Sequence, residues 1–218
     1  MAAMHDGLGV ARARVHLGRM SKTDRALEAL LSRASCDDLV DPAPDGAMLE
    51  TILSAGLRAP DHGKLRPWRY VVIEGEHRAA FADLVLKGMR ARDPDVPQKK
   101  LEKRRKRFGE TPMTIALGMH LRPDNKIPLA EQEAAVSAGV MNVLNALHLA
   151  GFGGLWVTGD VADDPGVCEA LGFAPPHRLA GFLFVGTPEE TPRSKRADIE
   201  DYMAVWKGKP VRFGADKD

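Results

Sequence analysis

The sequence predicts a single mixed domain of helices and strands that is not a run of strict strand–helix–strand units. Three observations carry this. The chain has 218 residues, enough for one sizeable core and too few for two ordinary large domains. Helical and strand patterns alternate, but two helices precede the first strand, whereas a dinucleotide-binding fold usually opens on a strand and a glycine-rich turn. Neither GxGxxG nor GxxxxGK[ST] occurs. The nearest glycine cluster, Gly151-Phe152-Gly153-Gly154, follows a helix and enters a strand, the reverse of a phosphate cradle. It reads as a helix C-cap at Gly151 followed by close backbone packing.

Each element follows from local pattern. Thr23 to Ser32 is a first helix with Leu27, Leu30 and Leu31 on one side. A turn covers Asp41 to Gly46, and Asp45 is placed as the N-cap of a second helix running through Leu57, with Leu49, Ile52, Leu53 and Leu57 at helical spacing. That helix ends ahead of Ala59-Pro60, because the residue before proline disfavours helical backbone. Tyr70-Val71-Val72-Ile73 is β-branched and short, hence a strand. Glu76 to Met89 is a third helix, and Val96 to Phe108 is a very basic helix or loop. Met113 to Leu121 is a second strand. Glu131 to Gly151 is the longest helix; its broad apolar stripe of Val136, Val140, Val143, Leu144 and Leu147 places it at the centre of the fold. Gly154 to Val157 is a third strand. Asp164-Pro165 starts a short helix that stops at Gly172, and Leu179 to Val185 is the fourth strand. Asp198 to Trp206 is expected as a last helix.

Composition removes several function classes. Hydrophobic residues make up 44% and charged residues 28%, as in ordinary soluble domains. A formal net charge of +1 gives no global attraction to nucleic acid or an anionic membrane. The two cysteines, Cys36 and Cys168, stand alone, which argues against a disulfide scaffold or structural zinc and fits a reducing cytoplasm. No stretch reaches the roughly 18 apolar residues of a membrane span. Residues 1–20 carry Arg12, Arg14 and Arg19 without a continuous apolar core, so they are expected to be a disordered lead with no chemical role. Residues 21–218 form the expected single domain.

Four stretches concentrate chemistry. Arg58 to Tyr70 holds four cations, His62 and Trp68 between a helix end and a strand start; a ligand site and a solvated loop with a strand-entry anchor both fit. Arg33-Ala34-Ser35 follows the first helix, where arginine and serine could donate to a phosphate or could simply close the helix. Pro192-Arg193-Ser194-Lys195-Arg196 is either a phosphate grip or a solvated tail. Gly154-Leu155-Trp156-Val157-Thr158-Gly159 is a core strand whose end could also lie against a flat heterocycle.

In this order the stretches resemble the nitroreductase family, and more narrowly the YdjA-type NAD(P)H nitroreductases of bacteria. The resemblance spans about Ala26 to Lys195. It is carried by Arg33 through Asp41-Pro42-Ala43-Pro44, by Ala55-Gly56-Leu57-Arg58-Ala59-Pro60-Asp61-His62, and by Pro67-Trp68-Arg69 before Val71-Val72-Ile73-Glu74-Gly75. Glu131-Gln132-Glu133 with Ser137-Ala138-Gly139, then Gly151 to Trp156, Gly181-Phe182-Leu183 and Val185-Gly186-Thr187-Pro188 complete it. It implies an α+β fold with a central mixed sheet flanked by helices, and an intertwined homodimer holding FMN at the subunit interface. Cofactor binding would fall to Arg33 and Ser35 at the phosphate and ribityl chain. Arg58 and His62 would complete the pocket, His62 from the partner chain. Trp156, Val157, Thr158 and Gly159 would lie along the ring, with Arg193 and Lys195 near the phosphate. The family carries Asn and Gln before Pro-Trp, where Lys64 and Arg66 stand here; a cation there favours negative charge on the flavin and anionic or electron-rich acceptors.

The function so implied is an FMN-dependent NAD(P)H oxidoreductase reducing nitro, quinone or similar small acceptors, with no separate catalytic acid or base, no metal, and no nucleic-acid or membrane partner. A flavin-binding sensor or store without turnover is the alternative. The basic run Lys99 to Arg107 has no interleaved aromatics, which disfavours nucleic acid; it is expected as a mobile segment over the active site that favours the phosphate of NADPH.

Overall fold

The computed structural model describes residues 21–190 and 194–214. The expected N-terminal lead, residues 1–20, lies outside them, as does Arg193. Helix α1 (Lys22–Ser32) belongs to a unit separate from the one that begins at Arg33. A reciprocal cap starts it: Ser21 Oγ accepts from the Asp24 amide at 3.1 Å, and Asp24 Oδ2 accepts from the Ser21 amide at 3.1 Å.

From Arg33 onward the chain is built on a five-stranded sheet. Its strands are β1 (Leu39–Val40), β2 (Trp68–Glu74), β3 (Met113–Met119), β4 (Gly153–Val157) and β5 (Arg178–Pro188). β5 is the hub. It pairs with β3 on one edge and β4 on the other, while β1 pairs with its last residues and β2 pairs with β3. Every pairing is antiparallel, which corrects the expected mixed sheet. The reason is topological. Helix α5 (Leu129–Leu149) carries the chain from β3 to β4, which run parallel to each other, but β5 inserts between them and opposes both.

Strand periodicity then sorts the core into two layers. Ile115, Leu117, Leu183 and Val185 join α2 (Gly46–Gly56) and α5 through Ile52, Val136, Val140, Val143 and Leu147. Ala116, Phe182 and Phe184 join α3 (His77–Arg92), α4 (Gln98–Glu110) and α6 (Pro165–Ala170) through Phe81, Val85, Leu86, Phe108 and Val167. Phe108 meets Phe81, Phe182 and Phe184 edge-on at centroid distances of 5.6, 5.4 and 5.1 Å. Because Leu101 and Phe108 lie seven residues apart on one face and are both buried, the basic run is a regular packed helix and not the mobile segment expected.

The expected C-terminal helix shrinks to one 3-10 turn, Ile199–Asp201, capped by Asp198. Its apolar residues Ile199, Tyr202, Met203, Val205 and Trp206 are all exposed, and a short helix without a packed face is marginal in water. Asp45 does occupy the N-cap position of α2, but its side chain makes no capping bond. Asp164 caps α6 as its sequence suggests, accepting from the Val167 amide at 3.0 Å. It is buried and also pairs with Arg92. Removing the guanidinium leaves that carboxylate buried without its charge partner. Arg92→Ala is therefore expected to lower stability by about 2 kcal/mol, a value discounted for the partial exposure of Arg92; urea denaturation at neutral pH measures it.

Candidate functional site

The loop between α2 and β2 is shaped by one carboxylate. Asp61 accepts from the Leu65 amide at 3.1 Å and the Arg66 amide at 2.8 Å, closing a tight turn over the 3-10 residues His62–Lys64. Gly63, Lys64 and Arg66 all take left-handed backbone, with φ of 74°, 54° and 51°. Two non-glycine residues in that region carry a conformational cost that persists only where surroundings enforce it, commonly at ligand sites. Arg69 Nη1 fastens the loop to the strand by donating to the carbonyls of Arg66 and Trp68 at 2.9 and 2.8 Å.

This loop walls a cavity of about 650 Å³. Arg58, Lys64, Arg66 and Arg69 line it against a single carboxylate, Asp61, with Leu57, Ala59 and Trp68 as its apolar floor. Four cations to one anion suit it to a negatively charged ligand with a flat or apolar body. His62 stands outside the lining; its Nδ1 lies 2.6 Å from Glu131 Oε2, tying the loop to the first turn of α5.

A second group gathers at the start of β4. The Cys36 amide donates to the Gly154 carbonyl at 3.2 Å, laying the Arg33–Ser35 segment beside that strand. Arg196 Nη2 donates to the Arg33 carbonyl at 2.8 Å, so the late basic stretch returns to the same place. Ser35 and Lys195 are exposed there. Arg33 Nη1 is shielded from solvent and has no hydrogen-bond partner. A buried unpaired guanidinium nitrogen is costly, which marks it as a donor awaiting an acceptor.

The end of β4 is held by a bulge. Leu117 pairs with Gly181 and Gly118 with Leu179, leaving Ala180 as the extra residue. The displaced Ala180 carbonyl accepts from Trp156 Nε1 at 3.1 Å. Beyond Trp156 and Val157 the chain opens to solvent at Thr158 and Gly159, the latter with φ of 105°. Among the described residues, none of this second group lines the cationic cavity.

Tyr70 lies between these elements, where α2 and α5 cross at Gly56 and Gly139. Its hydroxyl is buried without a partner, and burial pushes its pKa up to about 12. A raised folded-state pKa leaves stability intact below the unfolded value near 10 and removes it as pH climbs toward 12. Tyr70→Phe is expected to be neutral or stabilising at pH 7 and to lack the alkaline loss; chemical denaturation across that pH range checks it.

Sequence reasoning passed over three contributors: Asp61 as the organiser of the turn, Glu131 as the partner of His62, and Arg196 in place of its neighbours as the contact to Arg33. The Asp-x-Gly spacing at Asp61 was a readable turn signal. The other two depend on tertiary contact alone. Among the described residues there is no cluster of His, Cys, Asp and Glu fit for a metal, and no helix long and apolar enough to cross a membrane.

The nitroreductase family model matches residues 30–187. The "Putative NAD(P)H nitroreductase YdjA" of Escherichia coli strain K12 is 38% identical over 164 residues, covering 75% of this chain and 88% of that protein. A nitroreductase-like family protein from Bacillus cereus superposes with a TM-score of 0.73 at 26% identity, covering 87% of this chain and all of that one. A Desulfovibrio desulfuricans protein solved in complex with FMN shares the fold, with a TM-score of 0.65 at 20% identity over 85% of this chain and 98% of its own.

Proposed function

This chain belongs to the nitroreductase family, and from that premise we propose that it works as a homodimeric, FMN-dependent NAD(P)H oxidoreductase that reduces nitro, quinone or similar small acceptors. The observation that carries the cofactor is the solvent-shielded, unpartnered Nη1 of Arg33. A phosphate oxygen there would satisfy it, with Ser35 and Lys195 from the adjoining segments adding donors and positive charge. The relatives' names supply NAD(P)H, and the Desulfovibrio neighbour supplies an FMN complex on the same fold.

When bound, FMN supplies the two-electron chemistry between NAD(P)H and acceptor. The chain's own residues do the rest. Arg33 and Ser35 anchor the phosphate end. Trp156, Val157, Thr158 and Gly159 offer an apolar strand end and open backbone beside which a planar ring can lie. Arg58 and Lys64, on the strained loop, present positive charge toward the ring's polar edge, and His62 is steadied by Glu131.

The two groups complete one pocket when they come from different subunits. Exposed apolar side chains support the dimer: Trp206 is 73% exposed, Val205 71% and Tyr202 59%, large apolar groups that a second subunit could cover. Two unpaired cysteines fit a cytoplasmic setting. Sedimentation should give twice the mass of one chain, and steady-state assays should show NAD(P)H consumed only when a nitroaromatic or quinone is present. A monomer that consumes neither nucleotide with any such acceptor contradicts the proposal.

A further inference from the structure

Helix α4 places Lys100, Lys103, Arg104 and Arg107 at spacings of three and four residues, so all four lie on one helical face. That face does not simply point to water. With Val157 of β4 and Phe184 of β5 it lines a second cavity of about 350 Å³. Stacking four like charges on one face against a sheet is unfavourable unless counter-charge is supplied.

The counter-charge within the chain is incomplete. Arg107 pairs with Asp37 and lies 5.2 Å from the Phe184 ring centroid, so it is committed. Lys103 also borders a neighbouring cavity that holds Asp37, Asp38 and Asp41. Lys100 also borders one that holds Asp93, Asp160 and Asp163. Arg104 is different. It is half-buried, it lines this cavity alone among those described, and no carboxylate lines that cavity. Its neighbour Arg105 turns the other way, to Asp83 on α3.

We propose that this cleft, with Arg104 as its anchor and Lys100 and Lys103 at its rim, binds the 2′-phosphate of NADPH and so makes this protein prefer NADPH to NADH. The inference rests on the oxidoreductase reading, because it needs a nicotinamide dinucleotide to reach the end of β4. Val157 supplies that adjacency: it lines the cleft and belongs to the strand end assigned to the flavin ring. A phosphate monoester carries nearly two charges and three acceptor oxygens, which suits one planar guanidinium flanked by two flexible ammonium groups. NADH lacks that group and leaves Arg104 without a counter-charge in the cleft.

Calorimetric titration of the purified full-length protein with 2′,5′-ADP and with 5′-AMP tests this without any turnover. The wild type should bind 2′,5′-ADP at least tenfold more tightly than 5′-AMP. Arg104→Gln should abolish that difference, whereas Lys99→Gln, an equal loss of charge on the exposed side of the same helix, should preserve it. In turnover, Arg104→Gln should raise KM for NADPH toward the value for NADH and leave NADH unchanged. Equal binding of the two probes by the wild type overturns the assignment, as does a difference that survives Arg104→Gln. Inorganic phosphate that competes as well as 2′,5′-ADP shows a general anion site and overturns it too. A protein that discriminates the probes but takes up no FMN keeps the cleft and loses the flavin reading; a flavin-loaded protein that does not discriminate loses only the cleft.

Discussion

Gly181→Ala is expected to cost about 3 kcal/mol of stability and to strip the protein of its flavin. Gly181 has φ of 129°, a region that side-chain-bearing residues rarely enter. A Cβ at this position would overlap the Val157 carbonyl oxygen and stand 2.9 Å from Trp156 Nε1. The first obstacle is backbone in the neighbouring strand, so no rotamer change relieves it. The overlap falls at the bulge that turns the Ala180 carbonyl toward the Trp156 indole. Strain and a displaced strand end therefore arise together. For a domain of this size the melting temperature should drop by about 10 °C. Trp156 emission should change as its indole loses the Ala180 carbonyl, and retained FMN should fall in parallel. Gly159→Ala serves as a comparison, since its Cβ would meet nothing within 4 Å and only its φ of 105° opposes it.

Arg33→Met is expected to separate cofactor binding from folding. Removing a buried donor that has no partner should leave the cofactor-free protein as stable as before, or slightly more so. FMN affinity should fall by about 50-fold, the loss of a charge-assisted hydrogen bond of about 2–3 kcal/mol. Denaturation of the apoprotein with and without excess FMN measures both effects. If Arg33 were a structural contact, stability would drop in the absence of FMN and the affinity loss would vanish once corrected for unfolding.

Most of the secondary structure was legible because strong local signals and tertiary packing agree. The stripe on α5 is apolar around much of the helix, and that helix fills the layer between sheet and α2. The Asp164-Pro165 start and Gly172 stop of α6 are chemical punctuation, and the cap forms as read. Where local and global forces diverge, pattern reading loses its hold. Nothing in the run from Asp198 to Trp206 signals that its apolar side chains find no surface within the described chain. The insertion of β5 between two parallel strands is a property of topology, invisible to periodicity. β1 has only two residues, too few for any pattern.

The site divides in the same way. The density of cations from Arg58 to Arg69 fitted a ligand site and a solvated loop equally, and Arg58, Lys64, Arg66 and Arg69 do wall one cavity. The turn that shapes it depends on Asp61 and on left-handed backbone at Lys64 and Arg66, which residue type alone does not suggest. The Arg33 segment and the late basic stretch do meet, through Arg196. The basic run of α4 looked like a loose charged segment because seven of its nine residues from 99 to 107 are Lys or Arg. Two apolar residues, Leu101 and Phe108, suffice to pin it as a helix with one face over the end of β4.

In the function proposed above, separated cationic segments of this chain assemble a working FMN site. An absorbance spectrum of the purified protein, taken before and after anaerobic NADPH, addresses it most directly. Visible flavin absorption that NADPH bleaches is the predicted result. Protein that is colourless as purified and takes up no added FMN contradicts the claim, and flavin absorption that NADPH leaves untouched contradicts the reductase.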